Sequence, residues 1–136
     1  AWGGAAFLAV GAAPALGLPP ELPGAASADL AARQLWWAGT AASTIAGLAV
    51  FAYARPVALK AAGVLLLTIP HLIGAPQPAT YAALAPPDLR SAFVVASLAT
   101  TAMFWIVLGG LVGMFANRFL LTQRTGERAT SKTRST

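Results

Sequence analysis

SAFVVASLATTAMFWIVLGGLVGMFAN, residues 91–117, is the stretch that decides the fold. Its twenty-seven residues carry no charge and are bracketed by Arg90 and Arg118. A membrane helix needs about 20 mostly apolar residues to cross roughly 30 Å of hydrocarbon, so this stretch is long enough to span with room for tilt. A second uncharged stretch, QLWWAGTAASTIAGLAVFAYA, fills residues 34–54 between Arg33 and Arg55. A third run, PVALKAAGVLLLTIPHLIGA at 56–75, holds one cation, Lys60, one turn in, where a long side chain can snorkel to the headgroups. A fourth, AWGGAAFLAVGAAPALGL at 1–18, is closed by Pro19 and Pro20. The expected fold is all-α: a polytopic transmembrane helix bundle over residues 1–120, with four spans at about 1–18, 35–54, 56–75 and 91–117. A polar, basic tail follows at 121–136, without apolar periodicity and expected to be flexible.

Composition agrees. The 136 residues are 57% hydrophobic and 10% charged, against about 25% charged in a soluble domain. Intrinsic disorder, a collagen-like repeat and an ordinary water-soluble enzyme are excluded. With no Cys there is no disulfide and no thiolate for zinc, copper(I) or an iron–sulfur cluster. A bound metal would need oxygen ligands and the single His, and no tightly held cofactor is expected. The formal net charge of +5 is not the footprint of nucleic-acid binding, because the cations do not lie on an aromatic-rich face. The expected partner is the lipid bilayer.

The cations give the sidedness. Arg118, Arg124, Arg128, Lys132 and Arg134 follow the last span, and Arg55 and Lys60 mark the turn between the second and third. Only Arg33 and Arg90 fall on the other side, so the positive-inside rule makes the tail and the Arg55 turn cytoplasmic. The first run lacks the positive start of a signal peptide and opens on Ala1, so the chain is expected to begin inside a longer protein.

Small residues indicate where helices approach. Gly39, Ser43 and Gly47 recur every four residues, and Gly109 with Gly113 makes a GxxxG step. Trp36 and Trp37 fall at the end of the second span, where an interfacial aromatic belt is expected.

This topology gathers Glu21, Asp29, His71, Gln77 and Asp88 on the non-cytoplasmic side. Residues 17–24, GLPPELPG, form a Pro-fixed extended stretch. Ser27 is an expected N-cap, and Asp29 stands four residues before Arg33, the spacing of a helical ion pair. Pro70 removes a backbone hydrogen bond beside His71, and broken helix ends of this kind can line ion sites. A divalent transition ion such as Co²⁺ or Ni²⁺ accepts one imidazole with carboxylates and water, which makes Glu21, His71, Asp29 and Asp88 the candidate metal ligands. Arg33, Gln77 and Pro70 are the expected supporting residues. The plainer alternative makes Glu21 a loop cap, Asp29 a helix start, His71 an interfacial hydrogen-bonder and Asp88 a partner of Arg90.

There is no Walker loop, no dinucleotide fingerprint, no HExxH and no nucleophile set built around the one His. The chain is therefore not expected to be an enzyme. A membrane enzyme borrowing a partner's cofactor would need strongly polar groups deep in the spans, where this sequence offers only hydroxyls.

LGLPPELPG (16–24), ADLAARQLWW (28–37), IPHLIGAPQP (69–78) and Phe104-Trp105 followed by Leu108-Gly109 resemble the CbtA family of cobalt transporter subunits, over about residues 1–117. The matching positions are Pro20, Glu21, Pro23, Asp29, Arg33, Gln34, Trp36, Trp37, Pro70, His71, Gly74 and Pro76. The resemblance implies a fifth span before Ala1 and a small companion subunit, CbtB, with a His-rich segment.

The expected function is that of a membrane subunit of a cobalt (or nickel) uptake system, admitting the ion from the non-cytoplasmic face of the bacterial inner membrane. The alternative is an accessory structural subunit of a larger respiratory or photosynthetic membrane complex.

Overall fold

The computed structural model describes residues 2–79 and 85–134, with side chains through Phe119, and these residues form four helices and no strand. Helix α1 covers Trp2–Gly17 and contains a π-helical stretch at Leu8–Ala12 between α-helical turns. Here the Ala13 N–H reaches back five residues to the Leu8 carbonyl. The cause lies one residue on: Pro14 has no N–H to give, and its ring crowds the carbonyl a turn earlier. The Leu18 N–H closes the helix on the Pro14 carbonyl at 2.8 Å, and Pro19-Pro20 prevents continuation.

Helix α2 spans Leu30–Tyr53. Its N-cap is Asp29 rather than Ser27: the Asp29 carboxylate accepts the Ala32 N–H at 2.9 Å. The helix stops where Ala54 turns extended before Arg55-Pro56. Helix α3, Val57–Ile73, starts immediately after that turn, so α2 and α3 form a tight antiparallel pair. It ends at Gly74, whose φ of +85° suits a residue without Cβ. Lys60 lies over the Phe51 ring at 5.7 Å, bracing the turn with a cation–π contact.

The α2/α3 seam is closed by small residues. Gly47 and Gly63 face each other so closely that a Cβ on either would stand within 3 Å of the other's carbonyl oxygen. Further along, the Ser43 hydroxyl donates to the Leu66 carbonyl at 2.5 Å. Helix α4, Pro87–Arg134, packs on the first turns of α1, where Gly3 meets the Trp105 carbonyl and the Gly109 Cα. Its hydroxyls are satisfied locally, Thr100 on the Ala96 carbonyl and Thr101 on the Ser97 carbonyl, both at 2.8 Å.

Two helices are long and apolar enough to cross a bilayer: Leu30–Tyr53 and Pro87–Phe119. The other two apolar runs fold as the shorter helices Trp2–Gly17 and Val57–Ile73, so the count of four spans is not met by length and composition. Proline and glycine are the physical reason. Pro19 ends α1, and Pro56 and Gly74 confine α3 to 17 residues. The apolar side chains of α4, among them Val95, Met103, Ile106 and Phe115, lie exposed along its outer flanks.

Candidate functional site at the Pro-rich end of the bundle

Residues 17–26 leave α1 as an extended, proline-stiffened strap and fold across the start of α2. The strap carries Glu21 to Arg33, one turn into α2, where Glu21 Oε2 meets Arg33 Nη2 at 3.1 Å. Both side chains are about one-third exposed. Arg33 thus pairs with Glu21 and not with Asp29, four residues before it. The Asp29 carboxylate is turned to its capping bond, while the strap brings a second acid within reach. This bridge was not legible in the spacing, because it joins a loop to a helix.

A cavity of about 530 Å³ lies between the strap, the loop at 76–78 and the first turns of α4. Pro19, Glu21, Pro76, Gln77, Arg90 and Ser91 are among its walls. Gln77 Nε2 also donates to the Ala75 carbonyl at 3.2 Å within its own loop. His71 lies outside the cavity wall, half-buried in the last turn of α3, with its ring edge-on to Trp36 at 6.0 Å between centroids and 70° between planes. Asp88 stands in the first turn of α4, where its backbone carbonyl accepts the Ser91 hydroxyl at 2.9 Å.

The four candidate ligands therefore occupy four settings. Glu21 is ion-paired, Asp29 caps a helix, His71 meets an indole edge to face and Asp88 opens α4. Among the described residues, no group of three or more His, Asp and Glu side chains is placed to hold a metal ion. Of the expected outer-face residues, Glu21 and Gln77 share one cavity, and His71 stands outside it against Trp36.

Of the residues read as helix-packing positions, Gly47, Ser43 and Gly109 stand at crossings, whereas Gly39 and Gly113 face open space. Trp36 turns inward, its ring against Gly17 and His71, while Trp37 is 43% exposed. Pro70 is buried within α3.

The inner flank of α2 buries two of its hydroxyls. Thr40 and Thr44 are its buried polar residues, at 1% and 3% exposure. The Thr44 hydroxyl donates to the Thr40 carbonyl at 2.8 Å, but the Thr40 hydroxyl has no partner among the described residues. The 33-36-40-44 spacing puts Arg33, Trp36, Thr40 and Thr44 on one face of the helix.

An all-helical fold with two bilayer-length apolar helices has the dimensions of an integral membrane bundle. The family model described as "Probable cobalt transporter subunit (CbtA)" matches residues 1–117, and the chain belongs to that family. No curated protein and no solved structure matches it. A transporter subunit works at a membrane, and its role is not an enzymatic one.

Proposed function

We propose that this chain is the membrane subunit of a cobalt (or nickel) uptake system, taking the ion from the non-cytoplasmic face. The observation that carries the reading is the family match over residues 1–117, in a chain that sets Glu21, Gln77, Arg90 and Ser91 around one cavity. In this reading α1 and α3 also cross the bilayer. The 17 residues of α3 extend about 25 Å at 1.5 Å per residue, close to the hydrocarbon thickness, with Lys60 reaching the headgroups. The excess of cations at the far end of α4 and at the α2/α3 turn supports a cytoplasmic side for those ends, at a bacterial inner membrane.

Glu21 and His71 are the donors that first meet the incoming ion. Asp29 and Asp88 lie on the same face and add negative potential without joining one shell. Among the described residues no three His, Asp or Glu side chains stand together to hold the ion, so a partner completes the coordination. A small His-rich subunit of the CbtB type has the right donor chemistry. The ion is cargo, and no resident cofactor or catalytic step is required.

The test is cobalt and nickel accumulation in cells expressing the full-length protein with its native partners, beside metal analysis of the purified assembly and of His71→Ala. Stoichiometric metal and uptake that both drop at least several-fold in His71→Ala support the reading. Absence of metal and uptake, with the chain held at fixed stoichiometry among bioenergetic subunits, replaces it with the structural-subunit alternative.

A further inference from the structure

The inner flank of α2 carries hydrogen-bond donors that the fold leaves without acceptors. Arg33, Trp36 and Thr40 stand at i, i+3 and i+7 on one helix face. Among the described residues, Arg33 Nε, Trp36 Nε1 and Thr40 Oγ1 are all buried and all lack a hydrogen-bond partner. A dry orphan of this kind keeps the full cost of its lost hydration, so three in one row are not neutral packing.

The row begins at the cavity and runs inward. Glu21, on the cavity wall, holds Arg33 and neutralises its charge. Gly17, also on the wall, abuts the Trp36 ring. At the inner end Thr40 is 1% exposed, on a helix that packs against the π-helical stretch of α1. Pro14, itself fully buried, gives no N–H to the turn before it, so that turn holds a carbonyl without its intrahelical donor. A π-turn and a proline inside an apolar bundle persist where water or a bound group takes up the freed acceptors.

We infer that this seam is wet: a hydrated path leads from the cavity along Arg33 and Trp36, and the Thr40 hydroxyl is its innermost ligand, where a partly hydrated divalent cation exchanges one water for a side-chain oxygen. The cation rests on the transporter reading above; the water does not. Donors line the α2 side of the seam, and the turn whose carbonyl Pro14 cannot serve belongs to the helix packed on it, so water, both donor and acceptor, suits the gap.

The chain has no cysteine, so a single Cys is a unique probe. Thr40→Cys is made in the full-length protein with its partners in membrane vesicles, with Ala42→Cys, on the exposed flank of the same helix, as the lipid-facing reference. A small charged methanethiosulfonate reacts with thiolate, which forms only where water reaches, so Thr40→Cys should label about ten-fold faster than Ala42→Cys. Cobalt chloride should slow that labelling several-fold.

Labelling no faster than at Ala42→Cys overturns the wet seam, and labelling that cobalt leaves unchanged overturns the cation's stop at Thr40. Wild-type cobalt uptake in the same vesicles separates the two ideas. Uptake with an unlabelled Thr40→Cys removes only the seam, and a labelled, cobalt-indifferent Thr40→Cys without wild-type uptake removes the transporter reading.

Thr40→Val keeps the shape and removes the hydroxyl, which guards against a misfolded Cys variant. A raised thermal midpoint marks a dry orphan and overturns the inference. A lowered midpoint with slowed uptake supports it.

Discussion

Ser43 donates its hydroxyl to the Leu66 carbonyl at 2.5 Å, and Leu66 is the residue whose carbonyl Pro70 cannot serve. A proline in α3 is thus answered by a serine in α2, so the break is satisfied across the seam and not by solvent. Ser43→Ala should lower stability in detergent by about 1–2 kcal/mol, since it strands a part-buried acceptor. Pro70→Ala restores a donor for that carbonyl within α3. The loss caused by Ser43→Ala should therefore be much smaller in a Pro70→Ala background, and additive losses in a double-mutant cycle would contradict this account.

The Gly47–Gly63 crossing predicts a contrast between two similar glycines. Gly47→Ala forces a methyl against the Gly63 carbonyl and should cost about 1–3 kcal/mol. Gly39, on the same helix, has nothing near its missing Cβ, and Gly39→Ala should be neutral or stabilising by up to about 1 kcal/mol. Thermal unfolding of the two variants side by side checks this.

The Glu21–Arg33 bridge ties the strap to α2, with both partners partly exposed. Its contribution to global stability should be no more than about 1 kcal/mol after screening by solvent and salt. Its effect on the strap should be larger. Glu21→Gln is expected to raise proteolytic cleavage within residues 17–26, and the swap Glu21→Arg with Arg33→Glu to reverse part of that gain. Equal cleavage in wild type and Glu21→Gln would remove the bridge as the strap's anchor.

Trp36 and His71 form a reporter pair because their rings meet edge to face. If cobalt reaches His71, the paramagnetic ion will quench Trp36 fluorescence. Both Trp36→Phe and His71→Ala should lose that quenching component, while Trp37→Phe keeps it. Quenching that survives His71→Ala would place the ion elsewhere.

Helix positions were readable from uncharged stretches bracketed by arginines, because helix formation and burial in lipid depend on local composition. Span number was harder to read. A proline can end a helix, as Pro19 does, or lie buried inside one, as Pro70 does, and hydropathy scores the two alike. Asp29 was recognised as a helix-start residue, but the cap itself went to it and not to Ser27, since two acceptors competed for one end. Glu21's partner and the orphan hydroxyl of Thr40 depend on how the strap and α1 lie on α2, and no spacing within one helix encodes that.

The π-turn at Leu8–Ala12 also resets the angular phase of α1. The turns before it lie on α4 through Gly3, and the turns after it lie on α2 through Gly17. A regular helix advances about 100° per residue, so one residue removed from this stretch would swing everything beyond it by that angle. The strap, and with it Glu21, is attached to the swung end. Where Glu21 stands at the cavity is therefore tied to one residue of helical register inside α1, and that helix fits two neighbours of different facing only because its phase is broken between them.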